Sequence, residues 1–379
     1  MNKYLILTLL CFVYALSFAQ QNIDKEKLLE LYQSQRYAEA ASYLSSIYPA
    51  ETSDIKALQQ IAYCNMMAGK LVDAEKNYLK INELSPNQLP VLFNLANINS
   101  RRGNNKNAVS YLQEIIKIDT NNFNAYKRLA DYADSLNLKI KYLKKANTIN
   151  PTEADVAYDL ALSYRKLEVF APAYAVLKTA IAADTANFVL QQTLLPIANS
   201  LKKYSEVAAI GEKLLSNDKN PKVMVDVAKA YFYLKNYKKA IAFYKEIEAM
   251  DMQNESTLYF SALCYRELAA YDLAAKYAKL TITEGISRNT SAYYNLLGSI
   301  YEQNNQFNPA IAAFKKALSY ELNKNSYYRL ALLYDLKLKQ QKNAITNYQL
   351  YLKRKDLDKD DQPSIDYVKS RLDELTKKK

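Results

Sequence analysis

Apolar and small residues recur along this chain as pairs of stripes with helical spacing. In the segment that starts at Lys222, residues Met224, Val227, Ala228 and Tyr231 follow at steps of 3, 1 and 3, which places them on one side of an α-helix. After a short break at Lys235 and Asn236 come Tyr237, Ala240, Tyr244 and Ile247, at steps of 3, 4 and 3, and these mark a second amphipathic helix. The double stripe returns as Tyr294, Leu297, Gly298 and Tyr301 before Phe307, Ala310, Phe314 and Ala317. It returns again as Leu258, Ala262 and Tyr265 before Tyr271, Ala274 and Ala278. The step from Phe170 to Tyr204 and that from Tyr237 to Tyr271 are both 34 residues, and Tyr204 to Tyr237 falls one short of it.

A helix–turn–helix unit of this length and pattern resembles the tetratricopeptide repeat, in which an aromatic, Leu-Gly/Ala and Tyr precede Ala, an aromatic and Pro. Further units continue the register: Leu58, Ile61, Ala62, Gly69, Ala74, Tyr78 and Pro86; Leu92, Leu95, Ala96, Gly103, Ala108 and Leu112; Ala157, Leu160, Ala161, Tyr164, Phe170, Ala173, Leu177 and Ala180. Tyr327, Leu330, Ala331, Tyr334, Ala344 and Tyr348 form the last unit, with one extra residue assigned to its loop, and a worn first unit holds Leu28, Leu31, Tyr37, Ala40 and Leu44. The resemblance implies an all-α solenoid, a right-handed superhelix of about ten repeats over residues 20–357. The units fall at about 21–53, 55–88, 89–122, 123–153, 154–187, 188–220, 221–254, 255–288, 291–324 and 324–357, and a capping helix covers 363–376. An alanine opens each second helix (Ala74, Ala108, Ala173, Ala240, Ala274, Ala310), which lets two backbones approach, while neighbouring aromatics fill the flanks. Most of the 34 tyrosines therefore take structural roles, and stability becomes a sum of neighbour contacts.

Two places break the pattern. Pro196 is the one proline that falls inside an expected helix and should kink or split it, and the surrounding unit carries Val207 and Gly211 in place of Ala and an aromatic. The unit between Tyr126 and Pro151 is short by about one helical turn. A bend or loosening is expected near residues 135–145 and at Pro196, which marks a hinge; tolerated drift without consequence is the alternative.

Composition narrows the chemistry. The 379 residues include five glycines, no histidine and no tryptophan, so the commonest general base and metal ligand are missing. No glycine-rich phosphate loop, paired-cysteine motif or nucleophile elbow occurs, and neither catalysis, a cofactor nor a metal is expected. Asp356, Asp358, Asp360 and Asp361 lack the glycine turn and terminal glutamate of a calcium loop. The formal net charge of +12 arises from lysines and arginines spread among acids, which reads as solvated helix faces, not a nucleic-acid site.

Residues 1–19 read as an export signal: Lys3, an apolar run from Tyr4 to Leu16, then Ser17-Phe18-Ala19, with cleavage after Ala19. The run is shorter than the ~20 residues that span a bilayer, and an uncleaved anchor is the alternative. Cys11 lies within the run without the small residue before it that marks a lipoprotein, and Cys64 and Cys264 read as core fillers, not a disulfide. The leader implies export to the periplasm or outer envelope, and the Lys-, Asn- and Ile-rich composition points to an AT-rich Gram-negative source.

In proteins of the resembled family the first helices line a face that receives partner segments. Carried over, the candidates are Tyr158, Leu162 and Arg165 in one unit, Val225, Lys229, Phe232 and Tyr233 in another, and Tyr259, Leu263 and Arg266 in a third. Aromatics beside arginine are frequent binding hot spots, although Tyr158 and Tyr259 can equally pack against the adjoining unit. Asn97, Lys127 and Arg128 resemble part of the family's carboxylate-gripping array, but Phe93 stands where its first lysine belongs, so the array is incomplete. The expected function is an exported, non-catalytic protein–protein scaffold whose partners are proteins or peptide segments. The alternative is a basic repeat protein that docks on anionic envelope material, lipid headgroups or acidic polysaccharide; partner identity and oligomeric state stay open.

Overall fold

A computed structural model describes residues 23–284, 287 and 289–377. The leader, Cys11 and the cleavage position Ala19 lie outside these residues. The chain divides into two compact units, residues 1–168 and 169–379, and each is treated by itself. The described residues contain helices and no strand.

The first unit carries α1 (Lys25–Gln33), α2 (Tyr37–Ile47), α3 (Ile55–Met67), α4 (Leu71–Leu84), α5 (Leu89–Arg101), α6 (Asn105–Ile118), α7 (Phe123–Asp131), α8 (Leu136–Ile149) and α9 (Ala154–Lys166). The second carries α10 (Phe170–Ala183), α11 (Phe188–Ser200), α12 (Tyr204–Leu215), α13 (Pro221–Tyr233), α14 (Tyr237–Ala249), α15 (Glu255–Glu267), α16 (Tyr271–Glu284), α17 (Thr290–Gln303), α18 (Phe307–Tyr320), α19 (Lys324–Leu332), α20 (Gln341–Leu352) and α21 (Gln362–Lys377). Odd-numbered helices up to α19 are first helices of the pairs, and even-numbered ones are second helices. Within each unit a helix packs on its neighbours in sequence, as a solenoid of helix pairs requires.

Local chemistry sets the ends of these helices. Asp54, Asn122, Asn187, Asn220, Asn254 and Asn323 stand just before first helices, and each side-chain oxygen accepts a hydrogen bond from a backbone N–H of the first turn. The first helices end in a recurring closure. The N–H of Lys70 donates to Asn65 O (2.8 Å), that of Asn236 to Tyr231 O (2.9 Å) and that of Gln306 to Tyr301 O (2.8 Å), the six-residue loop of a Schellman turn. That turn needs one residue at positive φ. Gly69 and Gly103 supply it in two pairs, but Gln35, Lys202, Lys235, Ala269 and Asn305 adopt φ of 54–60° elsewhere. The scarcity of glycine is thus met by strain of about 1–2 kcal/mol per turn, which stacking overcomes.

The alanine seam is fully closed. Ala74, Ala108, Ala173, Ala240, Ala274 and Ala310 are all completely buried. Cys64 and Cys264 are buried free thiols.

The irregular units resolve into particular local solutions. In the fourth pair the missing turn comes off the first helix: α7 has 9 residues where α5 has 13, and Ser135 restarts the chain as the N-cap of α8. Pro196 does not split its helix, since α11 runs unbroken from Phe188 to Ser200. In the next helix Val207 is buried, and at Gly211 a Cβ would lie 2.1 Å from Cγ2 of Val227, so α12 and α13 approach too closely for any side chain there. The extra residue of the last unit was expected in the loop and instead sits in the first helix, as a π-turn over Leu333–Lys337 that continues α19. A wider turn absorbs one residue without shifting the flanking stripes, so Tyr334 and Tyr348 keep their places in the core.

The terminal helix α21 covers the last pair with Val368 and Leu375, which join Ala344, Tyr348 and Tyr351 in one cluster. Arg371 grips the buried carboxylate of Asp335 in the π-turn with two hydrogen bonds, from Nε (2.8 Å) and Nη2 (2.9 Å). In the preceding loop Asp358 and Asp361 hold Lys324 Nζ at 3.0 and 2.5 Å.

Gly211→Ala is expected to lower stability by about 1–3 kcal/mol, because the added methyl collides with Val227 in a closed interface. Denaturant unfolding of the variant measures this; an unchanged midpoint would mean that the α12–α13 contact is looser than described.

Candidate partner-binding face

On α13, Met224, Val227, Ala228 and Tyr231 turn into the core, which leaves Val225, Lys229 and Phe232 half-buried on the adjoining stripe and Tyr233 at 45% exposure. On α15, Leu258, Ala262, Cys264 and Tyr265 turn inward, leaving Tyr259, Leu263 and Arg266 half-buried. The two stripes meet because α13 and α15 touch directly. The sequence-derived candidates of the second unit thus share one face, and Tyr158, Leu162 and Arg165 stand on α9 in the first unit, the first two half-buried and the arginine exposed.

Phe260 joins the face together. Its ring lies 5.2 Å from that of Phe232, 5.9 Å from Tyr259 and 6.5 Å from Tyr244, with Lys229 Nζ 5.7 Å from its centroid. Tyr233 stacks on Tyr204 at 4.7 Å, and Tyr259 contacts Tyr293 at 5.2 Å. Rings therefore follow one another from Tyr204 on α12, through α13 and α15, to Tyr293 on α17. Such contacts fix each ring in one orientation, and a rigid aromatic surface binds at low conformational cost.

Sequence reasoning passed over Phe260, Tyr204 and Tyr293. Phe260 lies one residue beyond Tyr259, off the inner stripe, and its signal is the second aromatic of the Tyr259-Phe260 doublet. The packing alternative holds for Tyr259: it lies against Phe260 and Tyr293, and burial pushes its hydroxyl pKa upward. Arg266 folds back onto Glu267, with Nη2 at 2.6 Å from Oε1, and offers no free cation. The incomplete carboxylate array is committed elsewhere: Arg128 lies over Phe93 at 5.8 Å, and Lys127 pairs with Glu153 and Asp155 at 3.3 and 3.2 Å.

Tyrosine–carboxylate links hold the pairs that carry the face. Tyr231 donates to Glu212 (2.5 Å), which also takes Lys239 Nζ (3.1 Å). Tyr293 and Ser287 both donate to Glu255 (2.5 Å each), and Tyr174 and Lys178 donate to Glu206 (2.7 and 2.9 Å). The Tyr231 bond lowers the pKa of Glu212, and the Ser287 and Tyr293 bonds lower that of Glu255. For Glu206 burial pushes upward, but the bonds from Tyr174 and Lys178 outweigh it and the net shift is downward. Burial, together with its bond to Glu206, pushes the Tyr174 hydroxyl up to about 12.

The tetratricopeptide-repeat family model matches the chain at residues 89–122, 221–251 and 291–324. Among solved structures, a tetratricopeptide repeat protein from Parabacteroides merdae is 16% identical over 66% of this chain and 99% of its own, with a TM-score of 0.40. The C-terminal part of a repeat protein from Cytophaga hutchinsonii is 17% identical over 62% of this chain and 98% of its own, with a TM-score of 0.48. The human IFIT1 dimer with PPP-AAAA is 16% identical over 95% of this chain and 89% of its own, with a TM-score of 0.45. No curated protein matches the sequence.

Phe260→Ala removes the hub and is expected to cost about 2–3 kcal/mol, whereas Tyr233→Ala, half in solvent, costs under about 1 kcal/mol; equilibrium denaturation compares them. The second unit is also expected to be acid-sensitive. Glu206, Glu212 and Glu255 titrate below the ordinary carboxylate range when folded, so their contribution is complete above that range and is lost as pH falls through it. The thermal midpoint should hold from neutral pH to about 5 and fall below about 4, with a smaller fall in Glu212→Gln.

Proposed function

The chain is a tetratricopeptide-repeat protein, and we propose that it is a non-catalytic scaffold which holds segments of other proteins against the aromatic face of α13 and α15. The observation that carries this reading is the run of fixed rings from Tyr204 to Tyr293, with Tyr233 exposed and Lys229 beside it. Repeat folds of this type serve binding, and the absence of histidine from the sequence agrees with that role. The leader ending at Ala19 supports export, and we place the scaffold in the periplasm or outer envelope of a Gram-negative cell.

A second reading, docking of the basic chain on anionic envelope material, is favoured by one observation. Lysines on α16 and α18 stand without carboxylate partners among the described residues, while several others in the second unit are paired.

Cross-linking in intact cells followed by affinity recovery tests the scaffold. Tyr233→Ala combined with Lys229→Glu should remove at least one major cross-linked protein and leave the fold intact by circular dichroism. Recovery of every partner at wild-type levels would defeat the groove assignment. Held by aromatic anchors, the surviving wild-type complex should also change little as salt is raised.

A further inference from the structure

From the lysines that the aromatic face leaves unused, we propose that the outer side of α16 and α18 is a docking surface for bilayers rich in anionic phospholipid. This proposal rests on the second reading above and names its face and its lipid chemistry. Lys276 and Lys279 lie on α16, Lys315 and Lys316 on α18, and Lys337 in the π-turn. Each ammonium rests over a ring: Tyr277 (5.6 Å), Tyr301 (5.8 Å), Tyr334 (5.8 Å), Tyr320 (5.5 Å) and Phe307 (5.6 Å), respectively. A ring steadies a cation without neutralising it. In the same unit Lys178, Lys219, Lys239 and Lys324 each meet a carboxylate within 3.1 Å, while Lys203 and Lys229 also rest over rings, one at a time and not in a row of helices. α18 contains no acidic residue, and α16 carries only Asp272 and Glu284, one near each end. As second helices of consecutive pairs, the two occupy equivalent places in the stack.

Exposed apolar groups are interleaved with these charges. Leu273 (43% exposed) and Leu280 (37%) flank Lys276 on one face of α16, and Tyr320 (43%) ends α18. A cleft of about 500 Å³ opens where α16 meets the end of α17, lined by Lys276, Lys279, Thr283, Tyr301, Gln306 and Asp272. Two ammoniums, two hydroxyls and an amide can donate to a headgroup phosphate, and Asp272 can accept from a hydroxyl of a polyol headgroup. A dissolved polyanion would use the lysines alone. A bilayer surface uses the lysines for its phosphates and the leucines for its acyl boundary, and this mixture is what α16 presents.

The test is co-sedimentation of the full chain with phosphatidylglycerol-containing vesicles and with pure phosphatidylcholine vesicles, the latter registering any contribution of the apolar leader. The expected result is preferential binding to phosphatidylglycerol that weakens as salt rises. Each lysine changed to glutamine among Lys276, Lys279, Lys315 and Lys316 should weaken it on the order of fivefold. Leu273→Ser with Leu280→Ser should weaken binding and leave its salt dependence in place, and Tyr233→Ala should have no effect. Equal binding to both vesicle types, or wild-type binding by the quadruple lysine variant with its helical signal retained, would overturn the proposal. So would lysine-dependent binding to a soluble acidic polysaccharide with no preference for the vesicles; that outcome would keep the docking reading and reject the lipid. Binding to neither would reject both.

Discussion

Everything in this protein depends on how closely two helices of a pair, and two successive pairs, can approach. Five alanines with no exposed surface, Ala74, Ala108, Ala240, Ala274 and Ala310, set that distance in five pairs, and a glycine sets it where α12 meets α13. At such separations the neighbouring side chains have no slack, so large rings are pushed to the seams between pairs. Those rings meet there, stacked in one case and edge-to-face in the others. Tyr204 on Tyr233, and Phe232 and Tyr259 on Phe260, are consequences of the same close approach that buries Ala240 and Ala262. Packing and a continuous aromatic surface are thus produced by one constraint.

Much of this was legible in the residues. The 34-residue step, the alanines and the prolines between units specify a helix pair and its register, because helical periodicity and backbone proximity act locally. The candidates Lys229, Phe232, Tyr233 and Tyr259 do fall on one face, since neighbouring positions on successive first helices must align. What escaped is set by contacts across pairs or by backbone closure. Phe260 lies a single position off the inner stripe, and only the adjoining helix makes it a hub. The Glu212–Tyr231 and Glu255–Tyr293 links join residues 19 and 38 apart, which no local pattern announces. The extra residue near Leu333 was visible as a number, but a count does not say whether a loop lengthens or a helix widens. The turn residues Gln35 and Lys235 carry no glycine-like signature, because the Schellman closure imposes positive φ on whatever stands there.

The second unit presents two chemically different sides. First helices α13 and α15 carry fixed rings with few free cations, which suits a dehydrated protein segment. Second helices α16 and α18 carry lysines without carboxylate partners among the described residues, interleaved on α16 with exposed leucines, which suits a charged boundary. A solenoid allows this separation because first and second helices each contribute a continuous row, and a substitution on one row leaves the other's packing in place.

Hydrogen–deuterium exchange of the cross-linked complex, compared with the free protein, tests the central claim most directly. The account predicts added protection concentrated at the ends of α13 and across α15, where Tyr233, Phe260 and Tyr259 lie, with α16 and α18 unchanged. Protection confined to second helices, or spread evenly over the chain, would contradict it.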